Sequence, residues 1–270
     1  MTTFENRNYP NIVQSFGILG IIILATLLAS TLFLLNKFID VEALQLIYYL
    51  LTFGTSFWIV YSIRKRKTGV SIFNLKIENK RIIPFIIVVA IALLFGIISP
   101  ISDFIPMPEF LKNAFLNTAK QSGFFSFLLM VIAAPIFEEL IFRGIILDGL
   151  LKKYSPVTSI LVSSILFGLA HLNPWQFVAG FVIGIFAGWI YYKSRSLSLV
   201  IIIHASVNLT GYLMRYFGDF DSPSMNEILI ESYGGILNYI LVISVSILAI
   251  SVCVYYLNKE FKKREINASR

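Results

Sequence analysis

The chain has 270 residues, of which 57% are hydrophobic and only 14% charged. Soluble domains carry about 25% charged residues, so this composition excludes an ordinary water-facing surface and implies an all-α polytopic membrane bundle, with residues 1–270 as a single integral membrane domain. The net charge of +7 does not point to nucleic acid, because the basic residues sit at the ends of apolar runs, where membrane topology places them.

Eight apolar segments approach the roughly 20 residues needed to cross a ~30 Å hydrocarbon core. The first, Ile12–Leu35, is too long and too weakly flanked by basic residues for a signal peptide and reads as an uncleaved first helix. Ala43–Ile63 and Ile82–Ser99 follow. Between them, Lys65–Arg81 is a basic loop with alternating Val70, Ile72, Leu75 and Ile77, suited to an anionic leaflet. Pro100–Gln121, with Pro106 and Pro108, reads as an outer connector too broken for a regular helix.

Phe124–Leu151 is overlong. Val157–Leu172 is short and carries Thr158, Ser159, Ser163 and Ser164, so its neighbours must shield it. Trp175–Tyr192 carries Gly180, Gly184 and Gly188 at i, i+4 and i+8, a face on which another helix can approach closely. Leu197–Tyr216 and Ile236–Leu257 complete the set. Cys253, the single cysteine, is a small apolar residue of the last span and forms no internal disulfide.

With the N-terminus in the cytoplasm, the inner segments hold 17 Lys and Arg: Arg7, seven from Arg64 to Arg81, Lys152, Lys153, Lys193, Arg195 and five from Lys259 to Arg270. The outer segments hold four: Lys37, Lys112, Lys120 and Arg215. This bias places both termini in the cytoplasm and requires an even helix count. Asp219, Asp221, Glu227 and Glu231 make the last outer loop acidic.

Ionisable side chains within a bilayer are costly, and each is a functional candidate. Here they are Glu138, Glu139 and Arg143 in the fourth span, His171 at the end of the fifth, and His204 in the seventh with Asn208 one turn later. The chain has only two histidines, and both fall in this set. Glu139 and Arg143 at i, i+4 form a neutralising pair of structural value. Glu138 points about 100° away from Glu139 and is assigned to chemistry.

Such a set suits peptide hydrolysis. A carboxylate takes a proton from water; imidazoles and an amide orient that water and stabilise the oxyanion. Two modes stay open: a glutamate-only mechanism, or Zn²⁺ held by Glu138, His171 and His204, since His₂Glu plus water is a catalytic zinc set. Phe167 shares a face with His171 and packs beneath it.

Ala134–Gly144 (APIFEELIFRG), Phe167–Leu172 (FGLAHL) and His204–Asn208 (HASVN) resemble the three motifs of the CPBP family, the CAAX-protease and bacteriocin-processing (Abi) intramembrane peptidases. The family pattern is Glu-Glu-x-x-x-Arg, Phe-x-x-x-His, then His-x-x-x-Asn or Asp, and no motif position departs from it. The resemblance implies a catalytic core of about 122–216 in which Glu138 activates water, His171 and His204 flank it and Asn208 supports the oxyanion. It implies a membrane-associated peptide or lipidated protein as substrate, a bacterial cytoplasmic membrane as location, and a role in immunity or peptide maturation.

Two other classes fit parts of the pattern. A scaffold or immunity protein would keep the fold without activity. A transporter would use the same groups as a proton relay, but no internal repeat supports it. The apolar outer face does not indicate an oligomeric state.

One expectation concerns depth. In a plain eight-helix bundle, Glu138 lies ~24 Å from the outer end of its helix, His171 lies about as far from the inner end of its own and so near the outer face, and His204 lies only ~10 Å from the inner end. A shared site requires residues 144–151 to lie within the core and the fifth helix to tilt or start outside it. A Glu138 carboxylate more than roughly 10 Å from both imidazoles is incompatible with shared chemistry.

Overall fold

The computed structural model describes residues 8–106, 108–217 and 233–268. Arg7 and the acidic set Asp219, Asp221, Glu227 and Glu231 lie outside the described residues. Every regular element among these is helical: α1 (Ile12–Leu35), α2 (Val41–Thr68), α3 (Lys80–Ser102), α4 (Glu109–Ala119), α5 (Phe124–Leu150), α6 (Pro156–Leu169), α7 (Pro174–Ser194), α8 (Leu197–Phe217) and α9 (Ile236–Ala268).

Seven of the described helices are long and apolar enough to cross a membrane. The remaining apolar segment of the eight is α6, whose 14 residues give about 21 Å of helix, shorter than the ~30 Å core. One expectation is corrected: the outer connector, read as too broken for a regular helix, holds one, α4. Pro108 precedes it rather than interrupting it, and a proline just ahead of a helix costs no backbone hydrogen bond.

The helix boundaries have local causes. Asn11 and Gln14 form a reciprocal capping box at α1. Asp40 caps α2, and Gly69 ends it in the left-handed conformation at φ +73°. Ser155 caps α6 and Asn173 caps α7, each followed by proline in the first turn, where the missing N–H would be unpaired in any case. The long spans contain wide turns. Leu94–Ile98 precedes Pro100 and Leu128–Ala133 precedes Pro135; proline removes one N–H and crowds the carbonyl four residues back, which loosens the preceding turn.

The outward faces of α1, α2 and α9 are apolar, with Leu27, Leu28, Trp58, Leu237 and Leu248 exposed. That surface suits hydrocarbon and not water. The protein is an all-α polytopic membrane bundle. Its basic helix ends converge: Asp148 in α5 meets Arg64 of α2 at 3.5 Å and Arg195 after α7 at 3.6 Å, and Arg264 of α9 meets Glu78 at 2.7 Å.

The glycine face of α7 is used as its spacing suggests. A Cβ on Gly184 would stand 2.9 Å from Ser164 Cβ, and one on Gly188 would stand 3.0 Å from Ile160. Helix α6 therefore lies against bare backbone. Three of its four hydroxyl residues are shielded, since Ser159, Ser163 and Ser164 are buried, whereas Thr158 in the first turn is exposed.

The segment 69–79 runs as an extended strap across the basic end. Leu197 N–H donates to Asn74 O, Asn74 Nδ2 to Arg195 O, and Ser198 Oγ to Leu75 O. Phe73 packs against Gly144 and beneath Arg64 and Ile77 packs on the core, whereas Ile72 and Leu75 are exposed, so Leu75 breaks the alternation.

Candidate active site

The site is built around residues 134–141 of α5, which carry Glu138 and Glu139 between two wide turns, Leu128–Ala133 and Phe142–Leu147. Wide turns leave carbonyls poorly paired, and other helices supply donors. Asn208 Nδ2 in α8 donates to Met130 O at 2.8 Å, and Ser163 Oγ in α6 donates to Phe142 O at 3.1 Å. Asn208 therefore joins α8 to α5. The amide has two N–H donors, and this bond uses one.

Arg143 Nη1 lies 2.7 Å from Glu139 Oε1, with both residues almost fully buried (1% and 0% exposed). The same Oε1 accepts from His204 Nδ1 at 2.9 Å. A carboxylate can only accept, so Nδ1 carries the proton and Nε2 is turned away from Glu139. Glu139 thus does more than neutralise Arg143, because it also orients the imidazole.

Glu138 occupies the other side of that imidazole. Its Oε2 lies 3.8 Å from His204 Nε2, well inside the ~10 Å limit for shared proton chemistry. Oε2 is buried without a hydrogen-bond partner. The gap is too long for a direct hydrogen bond and too short to hold a water on the line between the two atoms, so a water bonded to both would sit to one side. Glu138 Oε1 accepts from the Tyr49 hydroxyl of α2 at 3.0 Å.

His171 stands just past α6. Its Nδ1 lies 2.9 Å from the carbonyl oxygen of Phe167. A carbonyl only accepts, so Nδ1 again carries the proton and Nε2 keeps its lone pair. Phe167 joins the set: its ring centroid is 5.3 Å from His171, 5.5 Å from His204 and 4.3 Å from the Arg143 guanidinium carbon. It therefore packs between both imidazoles and the cation, not only beneath His171.

The depths converge for two reasons. Helix α6 is short, so His171 at its end does not reach the far face. The start of α8 is sunk under the strap, with Ser196 and Leu197 buried, so a residue only two turns into α8 already lies inside the bundle. Residues 144–147, 149 and 150 are buried, which lowers that end of α5 into the core.

The imidazoles show half of a metal-site pattern: each Nδ1 is tied to an oxygen, the arrangement that supports Nε2 ligands in zinc sites. The donors themselves do not fit. Among the described residues no three His, Cys, Asp or Glu side chains converge in a way that could hold a metal ion. The trio Glu138, His171 and His204 is therefore not a preformed zinc site.

Tyr49 escaped the sequence reading. A lone tyrosine in an apolar helix carries no charge signal. Its one clue is phase, since Tyr49, Phe53 and Phe57 recur at i, i+4 and i+8 and share a face.

Residues 120–210 match the family described as type II CAAX prenyl endopeptidase Rce1-like. All seven motif residues fall inside that segment, and the family resemblance carried by the three motifs is borne out. Over 81 residues the chain is 33% identical to the UPF0177 protein YxdF of Lactococcus lactis subsp. lactis, a match covering 30% of this chain and 44% of that protein. The match thus spans less than half the length of this curated relative. No solved structure matches the chain.

Proposed function

We propose that this chain, whose residues 120–210 match the family described as type II CAAX prenyl endopeptidase Rce1-like, is an intramembrane endopeptidase. Its substrate is a membrane-associated peptide or a lipidated protein. Its setting is a bacterial cytoplasmic membrane with both termini cytoplasmic, and its catalytic core is about 122–216. The observation that carries the reading is the unpartnered Glu138 Oε2 held 3.8 Å from His204 Nε2: a buried acceptor beside an oriented imidazole, close enough for one water to bond to both.

In this reading Glu138 Oε2 takes a proton from that water as its oxygen attacks the scissile carbonyl carbon. The carbonyl π pair moves to oxygen. The second N–H of Asn208 stabilises that oxyanion, and the imidazoles of His171 and His204, whose Nδ1 protons are already given to Phe167 O and Glu139, orient the water. Glu138 then returns the proton to the leaving nitrogen as the C–N bond breaks, which leaves a carboxylic acid and an amine. Glu139, Arg143 and Phe167 hold the machinery in place. No step is drawn through a metal, because the donors present do not converge on one. Immunity and peptide maturation are both physiological roles that such cleavage serves.

The test is cleavage of a prenylated C-terminal reporter peptide and of small secreted-peptide precursors by the purified protein in liposomes. Cleavage lost in Glu138→Gln and His204→Ala, but kept with a chelator, is the expected result. Cleavage that survives both substitutions would refute the assignment. Full biological function in cells with both substitutions would favour the scaffold reading instead.

A further inference from the structure

We propose that Tyr49 is a positioning residue of this site, one that selects which oxygen of Glu138 acts on water; the proposal rests on the peptidase reading above. The Tyr49 hydroxyl lies 3.0 Å from Glu138 Oε1. A carboxylate offers only acceptors, so the phenol donates, and Oε1 is occupied. The oxygen left open is Oε2, which is buried, has no hydrogen-bond partner and faces His204 Nε2 across 3.8 Å. The two oxygens of one carboxylate are chemically equivalent in water. Here a single hydroxyl from another helix makes them different.

The terminal torsion of a glutamate side chain is broad and roughly two-fold, so it does not hold the carboxylate by itself. Tyr49 does hold it, because the phenol is fixed. Its ring stacks on Phe53 with centroids 4.6 Å apart and planes 12° from parallel. One turn further along the same face, Phe57 meets Phe137 of α5 edge-on at 6.2 Å. The aromatic face of α2 thus sets the distance between α2 and the Glu138 segment, and the hydroxyl is its polar end. If that hydrogen bond is removed, the carboxylate is free to turn about its terminal torsion, and Oε2 is no longer held in place to take a proton from water. Tyr49 remains protonated throughout and exchanges no atom with the substrate.

Tyr49 lies outside the matched segment 120–210. The role therefore belongs to the N-terminal helices, which give the motif-bearing core one of its contacts. This assigns α2 a part in the chemistry and not only in the packing of the bundle.

The experiment uses the full chain in liposomes with a prenylated C-terminal reporter peptide. Misplacement of a catalytic group by about 1 Å costs on the order of 100-fold, so Tyr49→Phe is expected to lower kcat about 10- to 100-fold, with KM within about twofold. Thermal stability should stay near that of the wild type, because Phe keeps the stack on Phe53. In a Glu138→Asp background the shortened carboxylate no longer reaches the phenol, and Tyr49→Phe should cost less than about threefold more, the signature of a residue acting through its partner. An equal loss in both backgrounds would make Tyr49 structural and overturn the proposal. Cleavage abolished by Glu138→Gln but kept within about twofold by Tyr49→Phe would overturn the Tyr49 role alone. Cleavage kept by Glu138→Gln would overturn the peptidase reading. A substrate-free arm stands beside these: infrared spectra of protein with ¹³C-carboxyl glutamate, in which the Glu138 band is identified by its loss in Glu138→Gln. That band should move in Tyr49→Phe, and an unmoved band would overturn the proposal whatever the cleavage result.

Discussion

Arg143→Met separates what the buried ion pair does for stability from what it does for the site. Met fills a similar apolar volume and removes the charge. It leaves Glu139 at 0% exposure with His204 Nδ1 as its remaining partner among the described contacts. Removing one member of a buried pair costs about 3–5 kcal/mol, because an uncompensated charge stays behind. Loss of the cation over the Phe167 ring, 4.3 Å away, adds up to about 2 kcal/mol when such a contact is dry. A kilocalorie shifts the midpoint of a protein of this size by about 2–4 °C, so a loss near 4 kcal/mol should lower the apparent Tm by about 8–16 °C. The assay is thermal unfolding of purified protein in detergent, followed by intrinsic fluorescence of its tryptophans.

The double substitution Glu139→Gln/Arg143→Met removes the stranded charge and should recover more than half of that loss, since uncharged replacements of a buried pair are often near neutral. Cleavage should not recover with it, because a neutral amide in place of the Glu139 carboxylate is a weaker acceptor for His204 Nδ1. An Arg143→Met protein within about 2 °C of the wild type would refute the reasoning, as would a double variant less stable than the single one.

Three further outcomes are expected. Glu42 in α2 accepts from Gly123 N–H at 2.9 Å and Ser126 N–H at 3.4 Å and so caps α5 from outside; Glu42→Ala should cost about 0.5–2 kcal/mol, as loss of a helix cap does, read as a lower Tm. Gly184→Val should destabilise by about 1–3 kcal/mol or more through overpacking, because Ser164 Cβ already stands 2.9 Å from a Cβ position there. Gly17→Val, inside α1 with nothing within 4 Å of a Cβ, is the matched control and should not lower the midpoint, since Gly is the poorer helix former. Prolonged dialysis against a chelator should leave reporter cleavage within about twofold of untreated enzyme, since catalytic zinc needs three converging protein ligands and the described residues offer none; a large loss restored by added Zn²⁺ would show that the donors rearrange to hold one.

Much of this molecule is legible in its residues. Apolar run length sets the long spans, because a bilayer demands about 20 residues of helix; both ends of Ile12–Leu35 follow from it. The i, i+4 spacing of Glu139 and Arg143 fixes their pairing, since that contact depends only on local helix geometry. The glycine series of α7 announces a close neighbour. The chemistry-bearing residues stand out because charge is expensive in lipid. Hydropathy misjudges α6, whose apolar run extends past the point where its helix stops at Leu169, and the prolines at 106 and 108 hide α4.

What the tertiary structure decided was partnership across helices. Sequence spacing could not show that Glu139 would serve both Arg143 and His204, that Asn208 would hold Met130 O, or that Tyr49 would reach Glu138. Each of these contacts depends on the depth and rotation of two separate helices. Those are set by proline-loosened turns in α5, by the shortness of α6 and by the strap that buries the start of α8. Local rules name which side chains belong inside the bilayer. Only the packing of distant segments decides which of their atoms meet.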